Sequence, residues 1–132
     1  QVFKRVGLFD DSLFIDYVDT EWFLRCRFQS IAALVIPDVF LYHRIGDSNK
    51  KNRYINLHIH SSTRVYYQVR NSILLLWMPH IPIVFSAREI LVTLIHKLFQ
   101  TFYAQRKRDH LWHIAKGLLH GLTGKSGSMH DH

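Results

Sequence analysis

Cysteine is almost absent from this 132-residue chain. Cys26 stands alone, which excludes an internal disulfide and a Cys-rich zinc module. Glycine is scarce, at 6 residues, and no Gly-rich phosphate-cradling loop occurs. Long apolar runs are missing too. Residues 72–87 carry no Asp, Glu, Lys or Arg, but they are broken by Pro79, His80 and Pro82 and are short for a membrane-spanning helix. The first residues do not read as a signal peptide, because Lys4 and Arg5 are followed by Asp10 and Asp11 rather than by an apolar segment. The chain opens on Gln1 without a methionine and is expected to be part of a longer protein.

What is present is enough for one domain. Apolar residues make up 48% of the chain, so a core can form and wholesale disorder is excluded. The net charge of +7 is unevenly spread. Residues 1–47 hold seven acids and five bases; residues 48–132 hold three acids and twelve bases, with nine of the ten histidines. An acidic segment therefore precedes a basic, aromatic, His-rich one. The basic part suits an anionic partner such as a lipid surface. Nucleic acid is not expected, since no recognition motif accompanies the basic residues.

Residues 1–9 are amphipathic at helical spacing, with Gly7 marking an end. Residues 13–18, 31–36 and 39–43 are β-branched and aromatic and are predicted to be strands. Asp19 is placed as the N-cap of a helix running to about Ser30. Residues 48–62 are polar and read as a loop, unusually long for a compact domain. A helix is predicted over 63–77, broken by residues 78–82. A second is capped by Ser86 with Glu89 in a capping box and runs to about Gln105, and a third spans 109–120. The Gly/Ser/Lys-rich residues 123–132 form a flexible tail. The expected fold class is α/β: a truncated sheet over residues 1–47, followed by a mainly helical region over 63–122.

The densest chemistry lies in residues 9–25. Asp16, Asp19 and Glu21 fall within six positions, beside Tyr17 and Trp22. A single Asp at a helix start is most often only a cap. Three carboxylates next to aromatics at a strand end are how proteins hold sugars, with the ring plate under the apolar face and acids on the hydroxyls. Further on, His43 precedes Arg44 and a turn at Gly46. A strand-end histidine is more often structural than a ligand, but its position across a helix and a strand from Asp19 lets the two converge on one cleft.

These residues resemble the family-2 inverting glycosyltransferases of the two-lobed GT-A fold, and most of all their bacterial rhamnosyltransferase branch. The string Phe-Ile-Asp-Tyr-Val-Asp-Thr-Glu-Trp at 14–22, with Arg25 downstream, matches the pattern around the catalytic base, except that Val18 replaces its first acid. Gly-x-Phe-Asp (7–10), Pro-Asp-Val (37–39), His-Arg-x-Gly (43–46), His-Ser-x-x-Arg-x-Tyr-Tyr-x-x-Arg-Asn (60–71) and Lys-Gly-x-x-x-Gly-Leu (116–122) follow in order. The resemblance covers residues 1–127.

It implies that Asp19 is the catalytic base, taking the proton of the acceptor hydroxyl. His43 matches a histidine that completes the coordination of a divalent metal, Mn²⁺ or Mg²⁺, on the donor diphosphate. Asp16, Tyr17, Glu21 and Trp22 match the acceptor side. Arg44, with basic residues 50–53, is placed against a diphosphate or an acceptor phosphate. The implied donor is a nucleotide sugar, dTDP-rhamnose, and the implied acceptor a lipid-linked glycan of bacterial surface polysaccharide. The implied location is cytoplasmic, peripheral on the inner face of the plasma membrane. The family's nucleotide-binding half and its Asp-x-Asp motif have no counterpart here, so the chain is expected to be a carboxy-terminal part with little activity of its own. The basic helical region, with Trp77, Trp112, Phe85 and Tyr103, reads either as core packing or as an interfacial layer. The rival assignment is a non-catalytic membrane-surface helical module. His58-x-His60 and His110-x-x-His113 lack a third ligand for a zinc site.

Overall fold

The computed structural model describes residues 1–34, 36–40, 42, 49–52, 55–58 and 61–129. In chain order the elements are α1 (Val2–Val6), a 3-10 turn (Asp11–Leu13), α2 (Val18–Phe28), β1 (Asn49–Asn52), β2 (Ile55–His58), α3 (Ser62–Leu74) continued by a 3-10 turn (Leu75–Trp77), α4 (Ile83–Tyr103) and α5 (Lys107–Leu122).

The fold is mainly helical, and the expected α/β sheet remnant over residues 1–47 is not found among the described residues. The β structure among the described residues is one antiparallel hairpin, β1 with β2, in the segment read as loop; Lys50 pairs with Leu57 and Lys51 with Asn56. Residues 13–18 fail as a strand because Phe14, Asp16 and Tyr17 all have positive φ, at 61°, 60° and 65°. That left-handed backbone bends the chain instead of extending it. The β-branched run of 31–36 is likewise not a strand where it is described: Leu34 and Ile36 are exposed, and no strand among the described residues pairs with them. β-propensity is mostly fit to a pleated neighbour, and here none is offered.

α3 is the central element. Its Val65, Tyr66, Tyr67 and Val69 to Leu74 are all buried, and Val65 and Val69 cluster with Ile114 of α5. Ser61 caps it, its side chain accepting from Arg64 N at 3.4 Å. α5 lies close because Gly117 and Gly121 face α3: a Cβ at Gly117 would meet Tyr66 O at 2.8 Å, and one at Gly121 would meet Ile73 Cβ at 2.8 Å. This contact gives the Gly-x-x-x-Gly pattern a structural purpose. Tyr66 OH adds a 2.8 Å hydrogen bond to His120 Nδ1. α4 starts at Ile83, directly after Pro82, so Ser86 is not its cap but a buried residue within it.

Arg70 ties the ends of the chain together. It is fully buried, donating to Gly127 O at 2.6 Å, Leu13 O at 3.0 Å and Asn71 Oδ1 at 2.9 Å. Its guanidinium also lies 4.9 Å from the Tyr67 ring centroid and 5.4 Å from that of Tyr66. Residues read as a flexible tail are bonded back to the body: Gly127 N donates to Ser12 O at 2.6 Å, and Met129 N to Tyr67 OH at 2.8 Å.

Candidate functional site

The loop before α2 is shaped from α3. Asn71 Nδ2 lies within reach of three carbonyl oxygens, Leu13 O at 2.9 Å, Ile15 O at 2.7 Å and Asp16 O at 3.0 Å. Two turns earlier on α3, Arg64 grips the Asp16 carboxylate, Nε at 3.1 Å and Nη2 at 3.0 Å. These bonds hold three residues of unfavourable backbone, Phe14, Asp16 and Tyr17, which would otherwise cost about 1 kcal/mol or more each. They also aim Asp16 and Tyr17 at α4.

The result is a polar cleft of about 340 Å³ lined by Asp16, Tyr17, Thr20, Gln68, Glu89, Val92, Thr93, His96 and Lys97. Tyr17 OH bridges to α4, 2.9 Å from Thr93 Oγ1 and donating to Glu89 Oε2 at 3.3 Å. Burial, with the neighbouring Glu89 charge, raises the Tyr17 pKa above the ordinary phenol value, so it stays a protonated donor. Lys97 is 3% exposed and donates to Gln100 Oε1 at 3.2 Å. Burial pulls its pKa down to about 8, against the opposing attraction of Asp16.

The residues singled out from sequence divide into separate environments. Asp16 and Tyr17 line this cleft. Asp19 is the second residue of α2, exposed; Tyr17, not Asp19, stands at the N-cap position. The Asp19 carboxylate accepts from Thr20 N at 2.8 Å and benefits from the positive helix end. Glu21 faces the other way. It is 1% exposed, bonded to Arg25 Nη2 at 2.7 Å, with His80 Nε2 2.7 Å from its other oxygen. That pair pins α2 to the turn between α3 and α4. Trp22 packs on Phe3 and Phe9, centroids at 5.1 Å and 5.5 Å, and donates to Gly7 O at 2.9 Å. His43 and Arg44 lie outside the described residues. So do residue 60 and part of the basic loop, residue 53.

Glu89, Thr93 and Lys97 were missed as site residues. Their signal was a polar stripe at four-residue spacing on α4, hidden by the stronger apolar stripe of Leu91, Leu94, Ile95 and Leu98. Among the described residues no group of three or more His, Cys, Asp or Glu could hold a metal ion. The described part of the chain therefore does not by itself build a divalent-metal site.

The outer surface of α4 and α5 is apolar. Leu91, Ile95, Leu98, Phe99 and Phe102 of α4 and Leu111, Trp112 and Leu119 of α5 are all exposed. Arg88, Arg106, Lys107 and Arg108 are exposed on the same two helices and their junction, whereas Arg70 and Lys97 are buried. No described helix is long and apolar enough to cross a membrane.

No protein-family model matches the chain, and no solved structure matches it. Among curated proteins it is similar to the dTDP-rhamnosyl transferase RfbF of Shigella flexneri, with 42% identity over 127 residues. That alignment takes in 96% of this chain and 43% of the Shigella protein, so the chain spans less than half the length of the transferase it is similar to.

Proposed function

We infer that this chain is the carboxy-terminal, acceptor-side part of a rhamnosyltransferase. The observation that carries this reading is the 42% identity, over nearly the whole chain, to part of a dTDP-rhamnosyl transferase. The geometry adds a reason: the motif residues Arg64, Arg70 and Asn71 all serve to shape the loop that bears Asp16 and Tyr17 and leads into α2, where Asp19 stands.

Asp19 is the proposed catalytic base. Its carboxylate is exposed at the first turn of α2, bonded only locally through Thr20, and so is accessible to an acceptor hydroxyl. It would remove that hydroxyl's proton as the oxygen attacks the anomeric carbon and the donor's diphosphate leaves. Asp16 and Tyr17 stand on the acceptor side, while Glu21 and Trp22 fix the orientation of α2. The proposed donor is dTDP-rhamnose and the proposed acceptor a lipid-linked glycan. A divalent metal, Mn²⁺ or Mg²⁺, belongs to the proposal with His43 as one ligand; the described residues do not offer a complete ligand set for it.

The outward apolar face of α4 and α5, with Arg88 and residues 106–108, is the proposed contact with the cytoplasmic face of an anionic membrane, where a lipid-linked acceptor would be found. The test is transfer by the longer protein that carries this chain, offered a panel of nucleotide sugars. Turnover of dTDP-rhamnose in preference to the other donors is expected; preference for another donor, or none, would overturn the assignment.

A further inference from the structure

α2 leaves an apolar side uncovered. Toward the rest of the chain it buries Glu21 and Cys26, while Phe23 stays half exposed. Beside it, α1 exposes Val2 and Phe3. Residues 31–34 turn back along α2, with Ile31 N bonded to Cys26 O at 2.9 Å and Ala32, Ala33 and Leu34 exposed. Two apolar hollows share Phe23, Ile31, Ala32 and Ala33 and together make a groove. One, of about 300 Å³, reaches Val2 and Phe3; the other, of about 560 Å³, reaches Thr20 and Phe85. Thr20 also lines the polar cleft beside Asp16, so groove and cleft meet at the first turn of α2, next to Asp19. Apolar side chains gathered in a groove, unlike single exposed ones, mark an interaction surface.

We propose that this groove is the seat of the amino-terminal part of the same longer protein. The proposal rests on the reading of the chain as the carboxy-terminal part of a transferase. The matched region is 43% of the Shigella protein, so more than half of a protein of that length lies outside this chain. On that reading the remainder precedes Gln1 and joins the structure at α1, whose Val2 and Phe3 are a wall of the groove. A tethered partner meets an adjacent surface at high effective concentration, so even a modest apolar contact holds it. The chemistry suits another protein layer better than a lipid surface. Arg27 is the one charged side chain among the described residues that line the groove. Lys4 and Arg5 stand on the same short helix as Val2 and Phe3, but Arg5 is turned to Gln29 O at 3.0 Å, and residues 1–47 hold seven acids against five bases. That balance gives an anionic bilayer no net attraction, unlike the face of α4 and α5 with Arg88 and residues 106–108. Small Ala32 and Ala33 beside Phe23 and Phe3 form the relief into which side chains of a second layer interdigitate. Because Thr20 borders both groove and cleft, the seated part is held against α2 at Asp19.

The experiment is maleimide labelling of the longer protein in lipid-free buffer, carrying Phe23→Cys, Ala33→Cys or, as reference, Leu91→Cys on the outer face of α4. All three parent residues are exposed in this chain, Phe23 at 51% and Leu91 at 61%. Labelling is read by mass spectrometry of the peptide that bears the new thiol. In the longer protein it should be at least about tenfold slower at positions 23 and 33 than at 91, at every protein concentration. In this chain alone the three positions should label at similar rates. As a second readout, Phe23→Glu should lower the melting temperature of the longer protein by several degrees, because it places an unpaired charge in the seat, and should change that of this chain far less. Equal labelling at the three positions in the longer protein, or protection at 91 alone, would overturn the proposal. So would protection that vanishes on dilution, the mark of a second copy, protection that appears only with added anionic vesicles, or a longer protein with no chain ahead of Gln1. Rhamnosyl transfer is a separate readout. An active transferase with freely labelled positions 23 and 33 would remove the seat alone; protected positions in a protein that transfers no sugar would keep the seat and remove the transferase reading.

Discussion

Arg64 and Asp16, 48 residues apart, form a two-pronged ion pair, with Nε 3.1 Å from Oδ2 and Nη2 3.0 Å from Oδ1. The pair joins the first turn of α3 to the loop that leads into α2. Its guanidinium is partly exposed, so its worth to stability is modest, but it fixes where the carboxylate points. Arg64→Met is therefore expected to lower stability by only about 1 kcal/mol, read from urea unfolding. The same variant should weaken acceptor binding by the longer protein by more than that stability loss would suggest. Parental acceptor affinity in Arg64→Met would show that the ion pair does not position Asp16 for a ligand.

The α3–α5 contact depends on two missing side chains. Gly121→Ala would gain about 1 kcal/mol in helix propensity yet bring a Cβ to 2.8 Å from Ile73 Cβ and 3.0 Å from Arg70 O. Overpacking of that kind typically costs about 1–3 kcal/mol. A net loss is expected, larger for the double change Gly117→Ala with Gly121→Ala, and visible in thermal unfolding. A rise in melting temperature in either variant would mean that α5 can shift away from α3 without loss.

Stability should rise with pH in two windows. Burial lowers the Lys97 pKa in the fold to about 8, while the unfolded chain keeps the ordinary value of 10.5. Between those values the unfolded state binds more protons, so raising the pH stabilises the fold; below about 8 both states are protonated and the full penalty stands. Lys97→Met should stabilise the chain at neutral pH by on the order of 2–3 kcal/mol and flatten its profile between pH 8 and 10. His110, buried against Thr101 Oγ1 at 2.7 Å, has its pKa lowered by that burial. Stability is thus lost as pH falls below about 6.5, and His110→Gln should blunt that acid limb. Parallel profiles for parent and variants, from urea unfolding across pH, would contradict both assignments.

The exposed apolar face of α4 and α5 calls for vesicle flotation of the isolated chain. Binding is expected to be stronger to anionic than to neutral vesicles and to weaken as salt rises, since each surface Lys or Arg contributes about 1 kcal/mol near an anionic bilayer. Replacing Phe99 and Phe102 by Ser should abolish it. Equal partitioning into both vesicles, or none, would leave that face to another protein surface.

The helices of the second half were legible in the sequence because their signals are local. Apolar periodicity marks α3, and Pro79 and Pro82 punctuate the turn before α4. Even there the start of α4 was misplaced, since Pro at the N-cap position outcompeted a plausible capping box at Ser86 and Glu89. The strands were not legible, because what shapes residues 13–17 is distant: Arg70 and Asn71 seize the carbonyls of Leu13, Ile15 and Asp16 and impose turns on a run whose composition favours a strand. Half of the cleft was visible in Asp16 and Tyr17. The other half, Glu89, Thr93 and Lys97, was hidden because the apolar stripe of α4 dominates its periodicity whichever way that stripe faces.

The most direct measurement concerns Asp19. In the longer protein, Asp19→Asn removes the base but changes an exposed side chain whose neighbour contact, to Thr20 N, the amide oxygen can still accept. Loss of a general base typically lowers turnover by about 10²–10⁴. Rhamnosyl transfer from dTDP-rhamnose by the Asn variant should fall by that factor, with its unfolding transition and donor binding unchanged. Near-parental turnover in a folded Asp19→Asn enzyme would contradict the assignment of Asp19 as the catalytic base.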